Sequence, residues 1–196
     1  MSTSDSPNGI RFGRTIIDAV VGELIDQPVQ AIIYPANSRG VMGAGSASSV
    51  RLAGGQDVER ELMELAPLDL GAAAISTAGR LQEREIEAVI HAVIVPNLGD
   101  TPRQSVVLRA LESALSTATR ARLHTLAMPL LGVRSEAPAE ERAEHVQSLV
   151  DVIVGYIRRP ATRIDRVVIV SRFEDDRAAL LEAIGRARQR LWITHA

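Results

Sequence analysis

The chain has no cysteine and no lysine, and all 22 of its basic side chains are arginine. Without cysteine there is no disulfide, thiolate zinc site, iron–sulfur cluster or cysteine nucleophile. Without lysine there is no Schiff base, no lysine general base and no phosphate-binding lysine of a Walker loop. Arginine throughout fits a GC-rich genome; it also suits durable ion pairs and bidentate phosphate contacts. Neither sign of charge is in large excess, with 22 arginines against 24 acidic residues. A formal net charge of -2 gives no global field for nucleic acid or an anionic membrane, so nucleic acid is a second-choice partner. No segment reaches the roughly 18 apolar residues that span a bilayer. The N-terminal MSTSDSPNGI lacks a basic region followed by an apolar one. The expected location is the cytoplasm, with no membrane association.

What is present is the composition of one globular domain, 46% hydrophobic and 23% charged in 196 residues. Residues 1–9 are polar and expected to be flexible, and 10–196 form a single domain. An apolar, β-branched stretch from Ile10 to Val21 predicts a strand, and VQAIIY (29–34) predicts one covered on both faces. QDVERELMEL (56–65) has helical spacing. GAAAISTAG (71–79) and AVIHAVIV (88–95) read as strands on either side of a charged turn at 82–87. Thr101 and Pro102 read as N-cap and first helical residue of a helix whose apolar stripe includes Val107, Ala110, Leu111, Ala114 and Leu115. LHTLAMPLL (123–131) is a strand. Pro138 then opens a helix with Val146, Leu149, Val150, Ile153, Val154 and Ile157 on one face. DRVVIVS (165–171) is the last strand, and EDDRAALLEAIGRARQRL (174–191) has acids in its first turn and arginines in its last. This alternation predicts an α/β layered fold with a largely parallel sheet.

In such folds ligands bind beyond the carboxyl ends of strands. The loop 37–45 lies in that place, between the strand 29–34 and a helix from about Ser46. Gly43, Ala44 and Gly45 leave backbone N–H groups uncovered at a helix start, which suits a phosphate. The loop matches neither G-x-G-x-x-G nor G-x-x-x-x-G-K-[ST], so by itself it is also readable as a plain turn.

The stretch VVGELIDQPVQAIIYPANSRGVMGAGSASSVRLAGG (20–55) resembles the opening of macro domains, which bind ADP-ribose. The similarity continues in order through GAAAISTAGRL (71–81), VIHAVIV (89–95), MPLLGV (128–133) and VVIVSRFEDD (167–176). Residues 37–55 are most similar to a prokaryotic subgroup with Met-Gly-Gly-Gly in the loop. The resemblance implies a three-layer α/β/α sandwich around a mixed, largely parallel sheet of about six strands. It implies ADP-ribose or an ADP-ribosylated macromolecule as partner, with neither cofactor nor metal. Glu23 stands where the family has an aspartate that accepts from the adenine amino group, and the Leu24 N–H would meet a ring nitrogen. Asn37 would face the distal ribose. Gly43, Ala44, Gly45 and Ser46 would wrap the diphosphate, with Gly132, Val133 and Arg134 in a second phosphate loop. Phe173 would pack on the adenine.

Departures from the family pattern leave three readings open. Tyr34 and Pro35 replace a polar residue and an alanine, bringing a bulky ring able to intrude on the pocket. Ala47 stands where hydrolases of the family carry aspartate, and Arg51 where many carry histidine. Hydrolysis needs a group to orient or activate water, and Asn37 is the one remaining candidate. Binding of ADP-ribose without turnover is the leading reading. Alternatives are an ADP-ribosyl hydrolase with weak activity, and a domain whose pocket has closed and serves another partner. The second loop, with Arg134 and Glu136, is shortened; Arg134 either clamps a phosphate or points to solvent, and Glu136 needs an arginine partner. His91 reads as a strand histidine satisfied by the backbone. His124 and His145 have no metal spacing. Glu140, Glu141 and Glu144 read as a solvated helix face, and Asn97 with Asp100 as a capping turn.

Overall fold

The computed structural model describes residues 9–43, 46–134 and 136–193. The expected flexible N-terminus therefore lies, apart from Gly9, outside the described residues, as do Ala44 and Gly45 of the glycine-rich loop. The strands are β1 (Ile10–Phe12), β2 (Thr15–Val21), β3 (Ala31–Asn37), β4 (Ala73–Thr77), β5 (Ala88–Val95), β6 (Thr125–Pro129) and β7 (Arg166–Ser171). The helices are α1 (Ser46–Gly54), α2 (Gln56–Glu64), α3 (Gln104–Arg120), α4 (Ala139–Ile157) and α5 (Glu174–Ile193).

The strands form one seven-stranded sheet in the order β1-β2-β7-β6-β3-β5-β4. The five central strands are parallel, and β1 and β4 run antiparallel at the edges. The extra strand comes from the stretch 10–21, which is a hairpin rather than one strand. Gly13, at φ 59, takes the left-handed conformation that turns the chain without a side-chain clash, and Phe12 pairs with Thr15 across it. A second correction concerns α3. It begins at Gln104 with Arg103 as its extended N-cap, so Thr101 and Pro102 stay in the loop that carries the chain away from β5.

Period-two alternation divides the strand side chains between two cores. Ile17, Ile33, Ile90, Leu126, Met128, Val167 and Ile169 pack under α3, α4 and α5, against Val107, Leu111, Leu149, Ile153, Leu180 and Ile184. On the other face Ile32, Tyr34, Ala36, Val89, Ala127, Val168 and Val170 meet Val50 of α1, Val58 and Leu62 of α2, and Leu81 of a short 3-10 turn. The result is the three-layer α/β/α sandwich.

Tyr34 does not enter a ligand cleft. It is 1% exposed in the second core, and its hydroxyl lies 2.9 Å from Nδ1 of the fully buried His91. Nε2 of His91 is 2.7 Å from the Ser76 hydroxyl, which donates in turn to the Thr77 carbonyl at 3.1 Å. That last bond fixes the direction of the others: His91 donates from Nε2, and its Nδ1 accepts from Tyr34. The ring is thus satisfied by two side chains from neighbouring strands and not by backbone, because inside the sheet the backbone groups are occupied by the ladder.

Burial holds this imidazole neutral, its pKa lowered from 6.5 to about 3. The unfolded chain therefore binds one more proton than the folded one between those values, so stability rises with pH across the window and levels off above it. The expected contribution is a slope of at most about 1.4 kcal/mol per pH unit. Urea unfolding of wild type and His91→Gln between pH 4 and 8 tests it; parallel curves for the two proteins would refute the assignment.

Candidate functional site

The parallel strands deliver their carboxyl ends to one edge of the sheet, and a cleft of about 450 Å³ opens there. Gly22, Glu23, Leu24 and Ile25 line it from the end of β2, Pro129, Leu130 and Val133 from the end of β6, and Val170 to Phe173 from the end of β7. Ser49 of α1, Arg142 of α4 and Asp176 of α5 complete the wall. The junctions are fixed by backbone pairing: Val21 is in register with Ser171, Val170 with Pro129, and the Gly22 N–H donates to the Ser171 carbonyl at 2.9 Å.

Four of the residues singled out from the sequence meet around this cleft, namely Glu23, Leu24, Val133 and Phe173. Phe173 is 63% exposed. Leaving a phenylalanine in water forgoes about 1.5–3 kcal/mol of burial, so an aromatic ring held open at a cleft suggests a flat apolar surface to cover it. Glu23 sits on the rim, where Arg172 donates to its carboxylate at 3.0 Å.

The rest of the set is distributed differently. Gly132 and Arg134 line a smaller adjoining cavity of about 120 Å³, together with Thr101, Pro102 and His145. Gly132 has φ 66, and an added Cβ would stand 2.6 Å from a Val107 methyl, so the second loop passes close over α3 only because the residue is glycine. Arg134 pairs with Glu136, Nε to carboxylate at 3.5 Å.

Asn37 does not line the main cleft and is 4% exposed. Its Nδ2 donates to the Val41 carbonyl at 2.8 Å, while its Oδ1 accepts from Arg39 and Val41 N–H at 3.1 and 3.3 Å. The buried Met42 follows, its N–H donating to Glu59 at 2.7 Å. Asn37 and Glu59 therefore fold the segment leading to the glycine-rich loop. Gly43 is exposed at the end of that segment, and Ser46 is the first residue of α1. Ala47 is buried in the second core beside Val50, and Arg51 pairs with Glu59 at 3.4 Å.

The polar floor was missed by sequence reasoning. Asp176 accepts from Nη2 of Arg142 with one oxygen and from the Ser171 hydroxyl with the other, the latter at 2.6 Å. The Ser171 oxygen in turn accepts the Phe173 N–H at 3.2 Å. A signal for Arg142 existed. It lies four residues before Val146 and so prolongs the buried stripe of α4 by one turn with a charge.

The family model for Macro domain matches residues 33–146. The chain belongs to the macro domain family. A protein of Aquifex aeolicus is 32% identical over 136 residues, 67% of this macro domain and 81% of the relative. The Oceanobacillus iheyensis macrodomain with ADP is similar in structure, with TM-score 0.79 at 17% identity, covering 93% of this chain and 96% of that one. A glycine-to-valine mutant of the same macrodomain with ADPR gives TM-score 0.79 at 17% identity, covering 92% and 98%. At such identities the likeness concerns the fold. Among the described residues no helix is long and apolar enough to cross a membrane, and no group of three or more His, Asp and Glu could hold a metal ion.

The Asp176 carboxylate side chain is 13% exposed and that of Arg142 31%, so solvent repays little if the pair is broken. Asp176→Ala is expected to cost about 1–3 kcal/mol, because it strands a part-buried guanidinium and the Ser171 hydroxyl together. Chemical denaturation measures it; a loss below about 0.5 kcal/mol would mean that water replaces the carboxylate freely.

Proposed function

We propose that this macro domain binds ADP-ribose, free or as the ADP-ribosyl group of a modified macromolecule, and holds it without turning it over. The observation that carries the reading is the cleft at the ends of β2, β6 and β7, with the exposed Phe173 on one side and Glu23 and Leu24 beside it. Phe173 packs against the purine, the Glu23 carboxylate accepts from an exocyclic amino group, and the Leu24 N–H donates to a ring nitrogen. Gly132, Val133 and the segment from Gly43 to Ser46 offer backbone N–H groups to the diphosphate; Ala44 and Gly45 enter this assignment from the resemblance alone. The Oceanobacillus structures with ADP and ADPR support a nucleotide in a fold of this kind.

Binding is favoured over hydrolysis by the disposition of the acids. Among the described residues, the carboxylates of the cleft are Glu23 and Asp176, each paired with an arginine, while position 47 carries a buried methyl group. Asn37, the remaining candidate for placing water, has its amide engaged by the loop backbone.

Isothermal titration calorimetry with ADP-ribose, ADP and AMP is the test. Saturable binding, tighter for ADP-ribose than for ADP, is expected. No heat up to about millimolar ligand, a binding energy weaker than roughly -4 kcal/mol, would remove the proposal. Phe173→Ala is expected to weaken ADP-ribose binding by about 1–3 kcal/mol, the usual worth of a base–aromatic stack, with the melting temperature unchanged. Equal affinity in that variant would remove the stacking role.

A further inference from the structure

We propose that Arg142 is a phosphate-contacting residue of the cleft, positioned by Asp176, and that it sets a preference for phosphorylated over unphosphorylated purine nucleosides. The inference rests on the reading of the cleft as a nucleotide site and adds to it a residue that neither loop contains.

Arg142 stands between the two cavities and lines both, as Val133 does. The other arginine of the main cleft, Arg172, has a side chain 63% exposed and lies on the rim with Glu23. Arg142 is half as exposed and has Pro129, Leu130 and Val133 in the same wall, where a charge is screened less and an ionic contact is stronger.

Its hydrogen bonds are incomplete. An arginine that serves only to tie two helices together typically meets a carboxylate fork to fork, satisfying two nitrogens at once. Here Asp176 takes Nη2 alone, because its second oxygen is held by the Ser171 hydroxyl. Nε is buried without a partner and is closed to a ligand, while Nη1 has no hydrogen bond among the described residues. A guanidinium has five N–H donors and no acceptor. Nη1 and the second N–H of Nη2 are therefore the donors left for an anion with several oxygens, which is what a phosphate ester supplies.

The charge balance points the same way. The four ionised side chains of the cleft, Glu23, Arg172, Asp176 and Arg142, cancel formally. Attraction for a phosphate must therefore come from a local donor and not from the average field. Asp176 holds the guanidinium in place, and through Ser171 it also holds the backbone N–H of Phe173. One carboxylate thus aligns the phosphate contact and the aromatic surface at a fixed separation, as a nucleoside phosphate requires.

The experiment is titration of wild type and Arg142→Gln with ADP-ribose, ADP and adenosine, with melting temperatures recorded alongside. Wild type is expected to bind ADP about tenfold or more tightly than adenosine. In Arg142→Gln that preference should fall to a few-fold or less while adenosine affinity stays the same, a split that a merely structural arginine would not produce. If the Gln variant does not fold, Arg142→Lys keeps a cation beside Asp176 without the fork, and a reduced preference is expected there as well. A folded variant with the wild-type preference overturns the role of Arg142 and leaves the nucleotide reading standing. A wild type that binds none of the three ligands overturns both.

Discussion

Parallel pairing of β2, β7 and β6 decides where this molecule can hold a ligand. Parallel neighbours bring their carboxyl ends to the same edge, and each must then hand the chain to a crossover that leaves the sheet. The register of Val21 with Ser171, and of Val170 with Pro129, sets the three exits side by side. Leu24, Phe173 and Val133 come from segments distant in sequence, and they face one cleft because backbone hydrogen bonds align the strands beneath them. A shift of one residue would turn each side chain to the opposite face of the sheet. The strand ends that frame the cleft are thus held in register by the five-stranded parallel core behind it.

Burial of polar groups follows from the covering of both faces of that sheet. A sheet covered on both faces leaves little water for side chains inside it, so most of those that carry N or O atoms find one another. Tyr34, His91 and Ser76 do so across β3, β5 and β4. Asp18 meets Arg166 across β2 and β7, Nε to carboxylate at 2.6 Å. Asp176, Ser171 and Arg142 follow the same rule at the floor of the cleft, with the difference that one side of their network faces an opening. The first of these networks is closed within the core, the second leaves Asp18 Oδ1 buried without a partner, and the third borders the cleft with an incomplete set of hydrogen bonds on Arg142.

The layers and part of the cleft were legible in the sequence, for reasons tied to particular residues. The continuous apolar runs at 29–34 and 88–95 specify strands covered on both faces, and β5 occupies residues 88–95 as read. The stripe from Val146 to Ile157 specifies α4. Glu23, Leu24 and Phe173 were placed through the resemblance to macro domains, at positions just past the ends of β2 and β7. The hairpin at 10–21 was not read, although Phe-Gly-Arg-Thr has glycine at the first turn position, because the apolar character continues on both sides of it. Asp176 was read as an acid complementing the α5 dipole, which hides its partner on another helix. His91 and Tyr34 are 57 residues apart, and no local pattern announces that β3 and β5 will be neighbours.

Position 47 and Asn37 together shape the balance between holding a ligand and reacting with it. A hydrolytic water needs a base or an orienting acceptor within hydrogen-bond reach of the bond that breaks. Ala47 offers a methyl group buried in the same apolar cluster as Val50, Val58 and Leu62, so the face of α1 that bears it is committed to the core. The amide of Asn37 bonds three backbone groups of its own loop, and redirecting it toward water would break all three of those bonds to Arg39 and Val41. The acids that line the cleft, Glu23 and Asp176, are each paired with an arginine. Under the proposed binding role, a floor with its carboxylates engaged stabilises bound and reacting states alike, and such uniform binding raises affinity without accelerating a bond-breaking step.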